Sequence, residues 1–98
     1  MEQKFALKVD DLDNVATVFR NGVTAGMSVP VRDKSGKEEN IVVSAAVPYG
    51  HKIALSDIRK GEPVIKYGES IGAASTDITR GDYVHVHNME AMRGRGDL

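Results

Sequence analysis

The chain has 98 residues, of which 41% are hydrophobic and 28% charged, with a formal net charge of -1 and a pI near 6.3. These values are ordinary for one soluble globular domain, and they exclude the basic surface that is typical of nucleic-acid-binding proteins. The chain contains no cysteine and no run of about 18 apolar residues, which excludes disulfides, thiolate metal sites and a transmembrane helix.

The first part of the chain predicts short strands separated by turns. Residues 5–9 and 15–19 combine alternation with β-branched and aromatic residues, so we expect a strand at each. The alternative for the second segment is a short helix that Asp13 or Asn14 would cap. The dipeptide Asn21-Gly22 predicts a turn directly after it.

The next segments predict a hairpin and a buried strand. Residues 29–32 read as an edge strand, because Pro30 cannot donate a hydrogen bond to a neighbouring strand. Residues 33–40 form the most polar segment, which predicts a mobile hairpin loop. Residues 41–47 are apolar and predict a buried strand that runs into a proline.

From residue 54 onward the chain repeats itself with a period of twenty residues. Residues 54–66 and 74–86 share Ala, Ser or Thr, Asp, Ile, Gly and Val in register. We expect a polar residue near the start of each unit to cap a single helical turn: Ser56 and Thr76. Gly61 and Gly81 would then end the turn in a left-handed conformation before the chain leaves as a strand. Two such units predict a pseudo-symmetric β domain.

All three histidines lie between Gly50 and Asn88. On a strand, alternate side chains share a face, so His85 and His87 would point the same way, roughly 7 Å apart. Two imidazoles at that spacing can converge on one metal ion or one anionic substrate, whereas a lone histidine usually only forms hydrogen bonds. We therefore expect His51 on the same wall, within about 10 Å of at least one of the other two rings.

An ordered series of short motifs resembles the SAF domain of the altronate and galactarate dehydratase family. In chain order the motifs are Asp13-Asn14-Val15-Ala16, Gly50-His51-Lys52-Ile53-Ala54-Leu55, Asp57-Ile58, Gly61-Glu62, Val64-Ile65-Lys66-Tyr67-Gly68, Ile71-Gly72-Ala73-Ala74, Asp77-Ile78, Gly81 and Val84-His85-Val86-His87-Asn88. The resemblance covers most of the chain and is weakest in residues 33–40.

The resemblance implies a mainly β fold of the β-clip type, to which the repeat analysis adds short helical turns. We place this SAF-like single domain at residues 1–92 and a Gly/Arg-rich tail at residues 93–98, which either is disordered or orders on a partner. In the family, this domain is the N-terminal part of a long dehydratase chain or a small subunit beside a large one. At this length the chain resembles the small subunit, which implies that activity needs the large one.

The family's reaction is the removal of water or sulfite from a hydroxy acid. It needs a positive charge beside the developing enolate and an acid or a metal ion at the leaving group. A divalent metal serves both needs, so His51, His85 and His87 are the expected catalytic residues and the expected ligands of Fe(II), Mn(II) or Zn(II). In the metal-free alternative, one of these histidines acts as general acid or base.

Four further residues of the matched motifs are candidates for substrate binding: Lys52, Lys66, Tyr67 and Asn88. The two lysines can pair with a substrate carboxylate, although surface lysines are commonly only solvated. Tyr67 can equally be a packed ring with a wet hydroxyl, and Asn88 can simply end its strand.

These features predict the small subunit of a sugar-acid dehydratase, a hydro-lyase component that is inactive alone and acts on a sugar acid with a large dehydratase subunit. The alternatives are a small subunit of (2R)-sulfolactate sulfo-lyase and a non-catalytic SAF-type carbohydrate-binding or assembly module, which needs no histidine cluster. Unpaired strand edges predict self-association of the isolated chain. We expect no nucleic acid and no membrane as partners and, because the N-terminus lacks an apolar signal-peptide core, a cytoplasmic location.

Overall fold

The computed structural model describes residues 5–91, so the predicted tail at residues 93–98 lies outside the described residues. In residues 5–91 the chain forms strands and no α-helix. The strands are β1 (Phe5–Lys8), β2 (Val15–Phe19), β3 (Ser28–Asp33), β4 (Glu38–Val42), β5 (Lys52–Ala54), β6 (Pro63–Lys66), β7 (Glu69–Ala74), β8 (Tyr83–Val84) and β9 (Met89–Ala91). The mainly β prediction is confirmed, and the fold is consistent with a β-clip.

The strands form two sheets. The first has the order β4-β3-β1-β2-β5-β8, and the second has the order β6-β7-β9. Strands β1 and β3 pair in parallel, whereas the other pairs are antiparallel. Strand β8 lies at the edge of the first sheet, which places the residues around it at the margin of the domain.

Strands β2 and β5 contribute to two apolar clusters. Ala16 and Val18 pack in one cluster, whereas Val15 packs in the other. Ile53 and Ala54 divide between the two clusters in the same way. Because successive side chains of a strand point to opposite faces, both faces of these two strands are buried. The buried side chains on both faces of β5 therefore fix the position of the strand with which β8 pairs.

The two repeated units interlock. Ile58 and Ile78 form an antiparallel bridge between them. The predicted helical turns are single β-turns, as in the first unit, where the N–H of Glu62 donates to the carbonyl of Arg59. The prediction that Ser56 and Thr76 cap these turns is wrong. Carboxylates accept the turn N–H groups instead, since they reach further and bind them more strongly than a hydroxyl; they belong to Asp57, Glu62, Asp77 and Asp82.

Two predictions about the first half need correction. Strand β3 is not an edge strand, because it lies between β1 and β4. Among the described residues, β1 pairs with Val31 to Asp33 and not with Pro30, so that pairing does not require an N–H from the proline. The buried strand predicted for residues 41–47 ends at Val42, where β4 ends, and only Ile41, Val43 and Val47 of that segment are buried.

Candidate functional site

The candidate site lies where β5 and β8 meet at the margin of the first sheet. Lys52 is paired with Val84 in antiparallel register. Extending that register by one residue places His51 opposite His85, just outside both strands. Their ring centroids are 5.0 Å apart. The prediction that His51 lies near at least one of the other histidines is therefore confirmed.

Tyr83 stands at the centre of the histidines, although it was not among the predicted site residues. Its ring centroid lies 5.5 Å from that of His51, 5.7 Å from that of His85 and 5.4 Å from that of His87. The planes of Tyr83 and His85 differ by only 9°, so these two rings are stacked. A sequence signal did exist, because Tyr83 and His85 are two residues apart at a strand end and share a face.

A turn at residues 85–88 replaces the continuous strand that the alternation predicted. Strand β8 ends at Val84, and the N–H of Asn88 donates to the carbonyl of His85 at 3.0 Å. His87 therefore reaches the ring of Tyr83 because the chain reverses, not because side chains alternate along a strand. The expectation that His85 and His87 share a face as neighbours on one strand is wrong for this physical reason.

Asn88 holds this turn with its side chain. The residue is 6% exposed, its Oδ1 accepts the N–H of His85 at 2.9 Å, and its Nδ2 donates to the carbonyl of Tyr83 at 2.9 Å. Both ends of the amide are thus occupied by backbone groups. This is the behaviour expected if Asn88 ends the strand, and it fixes the spacing between Tyr83 and His85.

Lys52 adds positive charge beside the ring of His85, and Lys66 lies near Lys52. Lys52 is half-buried, and burial together with the nearby charge of Lys66 lowers the pKa of its ammonium group. The pKa of His85 is also lowered, first by desolvation and then by the charges of His51, Lys52 and His87. The charged neighbours responsible for both shifts are all basic side chains. An anion placed among them would relieve this repulsion.

Lys66 is held in place by a strained hairpin. Tyr67 and Gly68 connect β6 to β7 with φ angles of 57° and 75°, which a two-residue type I′ turn requires. Tyrosine in that conformation costs about 1 kcal/mol or more relative to glycine. The ring of Tyr67 is 60% exposed, and Nζ of Lys66 lies 4.9 Å from its centroid. The turn thus presents an aromatic ring and a cation side by side.

Asp13 and Asn14 connect this hairpin to the first sheet. The Oδ1 of Asn14 accepts the N–H of Ile65 at 2.7 Å, and its Nδ2 donates to the carbonyl of Pro63 at 3.0 Å. The buried carboxylate of Asp13 accepts the N–H of Gly68 at 2.8 Å. The pair was predicted only as possible helix caps, although it stands in the first of the matched motifs. In the structure the two residues position Lys66.

The three histidines do not by themselves fit a three-ligand metal site. Among residues 5–91, no three His, Asp or Glu side chains are arranged so that they can hold one metal ion. Each histidine ring contacts Tyr83, and the Nδ1 of His51 lies 2.8 Å from the Tyr83 hydroxyl oxygen. The arrangement is better suited to binding an anion and to proton transfer.

The predicted site residues lie apart from a depression of about 440 Å³ on the surface of the first sheet. Its lining residues are Lys8, Asp11, Val31, Asp33, Lys37, Glu38 and Glu39. The carboxylate of Asp33 there accepts hydrogen bonds from Ser35 and Lys37, which lower its pKa and close the β3–β4 turn. The Asp33 carboxylate is thus accounted for by its hydrogen bonds within the turn.

Comparison with known proteins identifies two kinds of relative: a short subunit that this chain matches over most of its length, and longer dehydratases that it matches over a small part. A family model described as the altronate/galactarate dehydratase SAF domain matches residues 4–92. The alpha subunit of (2R)-sulfolactate sulfo-lyase from Chromohalobacter salexigens is 39% identical over 83 residues, which cover 83% of this chain and 87% of that subunit.

Two dehydratases from Escherichia coli are similar over one part of their length. Altronate dehydratase is 42% identical over 82 residues, or 84% of this chain and 15% of that protein. Galactarate dehydratase (L-threo-forming) is 38% identical over 81 residues, or 82% of this chain and 14% of that protein. The chain therefore spans most of the sulfo-lyase subunit and only a small part of either dehydratase.

Proposed function

The chain belongs to the altronate/galactarate dehydratase SAF-domain family, and we propose that it is the small subunit of a sugar-acid dehydratase. In this proposal it binds the acidic substrate and assists the removal of water, together with a large dehydratase subunit. The relatives named above are dehydratases and a sulfo-lyase, which supports a lyase. The sulfo-lyase relative is named as an alpha subunit, which supports a further subunit as partner.

The observation that carries the proposal is the basic cluster around Tyr83. The half-buried ammonium group of Lys52 lies beside His85, and the charge of Lys66 lies near that of Lys52. Holding like charges together costs free energy unless an anion is bound between them. A sugar acid provides a carboxylate for the lysines and hydroxyl groups for the imidazoles.

The chemistry of the side chains fits the steps of a dehydration. Positive charge from Lys52 and Lys66 stabilises the enolate that develops when a proton leaves the carbon next to the carboxylate. His85 is neutral near pH 7 because its pKa is lowered, so it can accept a proton. The departing hydroxyl takes up a proton from a second acid, and His51, whose ring centroid lies 5.0 Å from that of His85, takes this role. The predicted Fe(II) or Mn(II) ion would need ligands outside residues 5–91.

A second candidate is the alpha-type subunit of a (2R)-sulfolactate sulfo-lyase. The observation that favours it is the sequence match, since the 39% identity extends over 87% of that subunit in the C. salexigens protein. Sulfolactate carries a carboxylate and a sulfonate, and both are anions that a basic cluster can bind. Substrate assays separate the two candidates, because only one of them releases sulfite.

Co-expression with a candidate large subunit tests the proposal. The purified complex should dehydrate altronate or galactarate, and a His85→Ala, His87→Ala double change should abolish turnover while light scattering shows unchanged assembly. A Lys34→Ala, Lys37→Ala double change in the exposed β3–β4 turn is the matched control and should retain activity. Wild-type turnover of the histidine variant would show that these rings are structural. Sulfite release from sulfolactate would establish the second candidate.

A further inference from the structure

We propose that Tyr83 is a positioning residue that determines which ring nitrogen of His51 carries the proton. The observation is the 2.8 Å distance between the Tyr83 hydroxyl oxygen and Nδ1 of His51. The catalytic consequence rests on the proposed function, in which His51 contacts the substrate. The effect on the imidazole itself does not depend on any activity.

The acid–base properties of the two groups set the direction of this hydrogen bond. A phenol, with an ordinary pKa of about 10, is a stronger donor than the N–H of a neutral imidazole. An imidazole nitrogen, in turn, is a stronger base than a phenol oxygen. The Tyr83 hydroxyl therefore donates to an unprotonated Nδ1, and the proton of neutral His51 resides on Nε2.

The surroundings of Tyr83 prevent its hydroxyl from turning away. Its ring stacks on His85 and contacts His87. Its backbone pairs with Ile53 across the β5–β8 ladder, and its carbonyl accepts the side-chain N–H of Asn88. A side chain constrained by its neighbours and its backbone imposes a defined geometry on the group that it contacts.

The consequence for chemistry is that His51 presents its Nε2–H as a hydrogen-bond donor when the substrate binds. When Nδ1 is committed to Tyr83, Nε2 carries a hydrogen in the neutral and in the charged imidazole alike. This N–H can hydrogen-bond to a substrate oxygen before the reaction. When the charged ring gives the Nε2 proton to the departing hydroxyl, the proton that remains on Nδ1 is donated to the Tyr83 oxygen until the neutral ring returns to its Nε2–H form. His85, with its lowered pKa, is suited to the opposite role of acceptor.

NMR spectroscopy of the 98-residue chain tests the inference without any substrate. The ¹⁵N shifts of the imidazoles, measured above the pH at which they are charged, should show His51 with a bonded, unprotonated Nδ1 and a protonated Nε2. Tyr83→Phe keeps the ring, and it should move the Nδ1 signal to the value of an unbonded nitrogen. Tyr49→Phe, at an exposed tyrosine that contacts Phe19, is the control and should leave the signal unchanged. A proton on Nδ1 in the wild type, or an unchanged signal in Tyr83→Phe, would overturn the inference.

Kinetics of the complex with the large subunit provide the second readout. Tyr83→Phe should lower kcat about fivefold, the effect of one hydrogen bond of roughly 1 kcal/mol, and change KM little. An unchanged kcat would overturn the positioning role in catalysis. Absence of turnover by the wild-type complex on every hydroxy acid would instead refute the proposed function, and the NMR result would then decide the tautomer by itself.

Discussion

Ile58 and Ile78 exchange two backbone hydrogen bonds, of 2.8 and 2.7 Å, across the junction of the two repeated units. Two further backbone hydrogen bonds join the same two units. The N–H of Gly61 donates to the carbonyl of Ala74, and the N–H of Gly81 donates to the carbonyl of Ala54. Each unit therefore supplies the acceptors that the other needs. The two repeated units thus hold each other by reciprocal backbone hydrogen bonds, an arrangement that we call the clasp. Its second unit contains Tyr83.

The clasp predicts that its two glycines tolerate substitution differently. Both have positive φ, 91° at Gly61 and 94° at Gly81. A Cβ at Gly61 meets open space, whereas a Cβ at Gly81 would lie 2.3 Å from the carbonyl oxygen of Val42. Gly61→Ala should thus cost about 1–2 kcal/mol, and Gly81→Ala about 3 kcal/mol or more. Urea unfolding measures both values, and equal losses would contradict the argument.

The link between the sheets predicts a stability cost for Asn14→Ala. This change leaves the N–H of Ile65 and the carbonyl of Pro63 without their side-chain partner, which should lower the free energy of unfolding by about 1–2 kcal/mol. Asn21→Ala, at an exposed turn residue, is the matched control and should change it little. Thermal unfolding followed by circular dichroism is the measurement, and equal melting temperatures for both variants would refute the role.

Removing the charge of Lys52 should make the fold more stable. The ammonium group is half-buried near Lys66, so Lys52→Met relieves desolvation and repulsion. After allowance for solvent screening we expect a gain of roughly 0.5 kcal/mol in the free energy of unfolding. Turnover of the complex should fall, because sites that bind charge are retained at the expense of stability. Lys34→Met, at an exposed lysine, is the control, and a less stable Lys52→Met protein would contradict the prediction.

The lowered pKa of His85 predicts a pH dependence of stability. Its ordinary value is 6.5, and the folded chain binds this proton less readily than the unfolded chain does. The unfolded state therefore gains more protons as the pH falls through 6.5, and the free energy of unfolding decreases until the pH is below the lowered pKa. His85→Gln should reduce the slope of this decrease. Urea titrations between pH 5 and pH 8 provide the test, and an unchanged slope would be inconsistent with the shift.

The isolated chain is expected to fold and to be catalytically inactive. Residues 5–91 carry two apolar clusters, which support folding, but no three-ligand metal arrangement. Assays of the chain alone with altronate, galactarate and sulfolactate, with Fe(II) or Mn(II) added, should show no turnover. Robust turnover under these conditions would show that the chain holds a complete active site.

The strands and turns were largely predictable because their signals are local. Alternating and β-branched residues mark β1 and β2, and Gly61 and Gly81 mark positions with positive φ. The place of β3 within the sheet was not predictable from Pro30, because the register of the described part of β1, which meets β3 at Val31 to Asp33, has no local signal. The turn-capping carboxylates were also missed, since Asp57 and Asp77 each cap the opposite unit.

The sequence by itself determined the mainly β fold, the repeat, the family and the set of basic side chains proposed to carry the chemistry, because residue type, spacing and motif order are properties of the chain. Only the tertiary structure decided that β8 ends at Val84 and that the ring of Tyr83 contacts all three histidine rings. Those outcomes depend on contacts between distant residues. The Tyr83 hydroxyl meets His51 across 32 residues, and the β5–β8 register that joins them has no local signal.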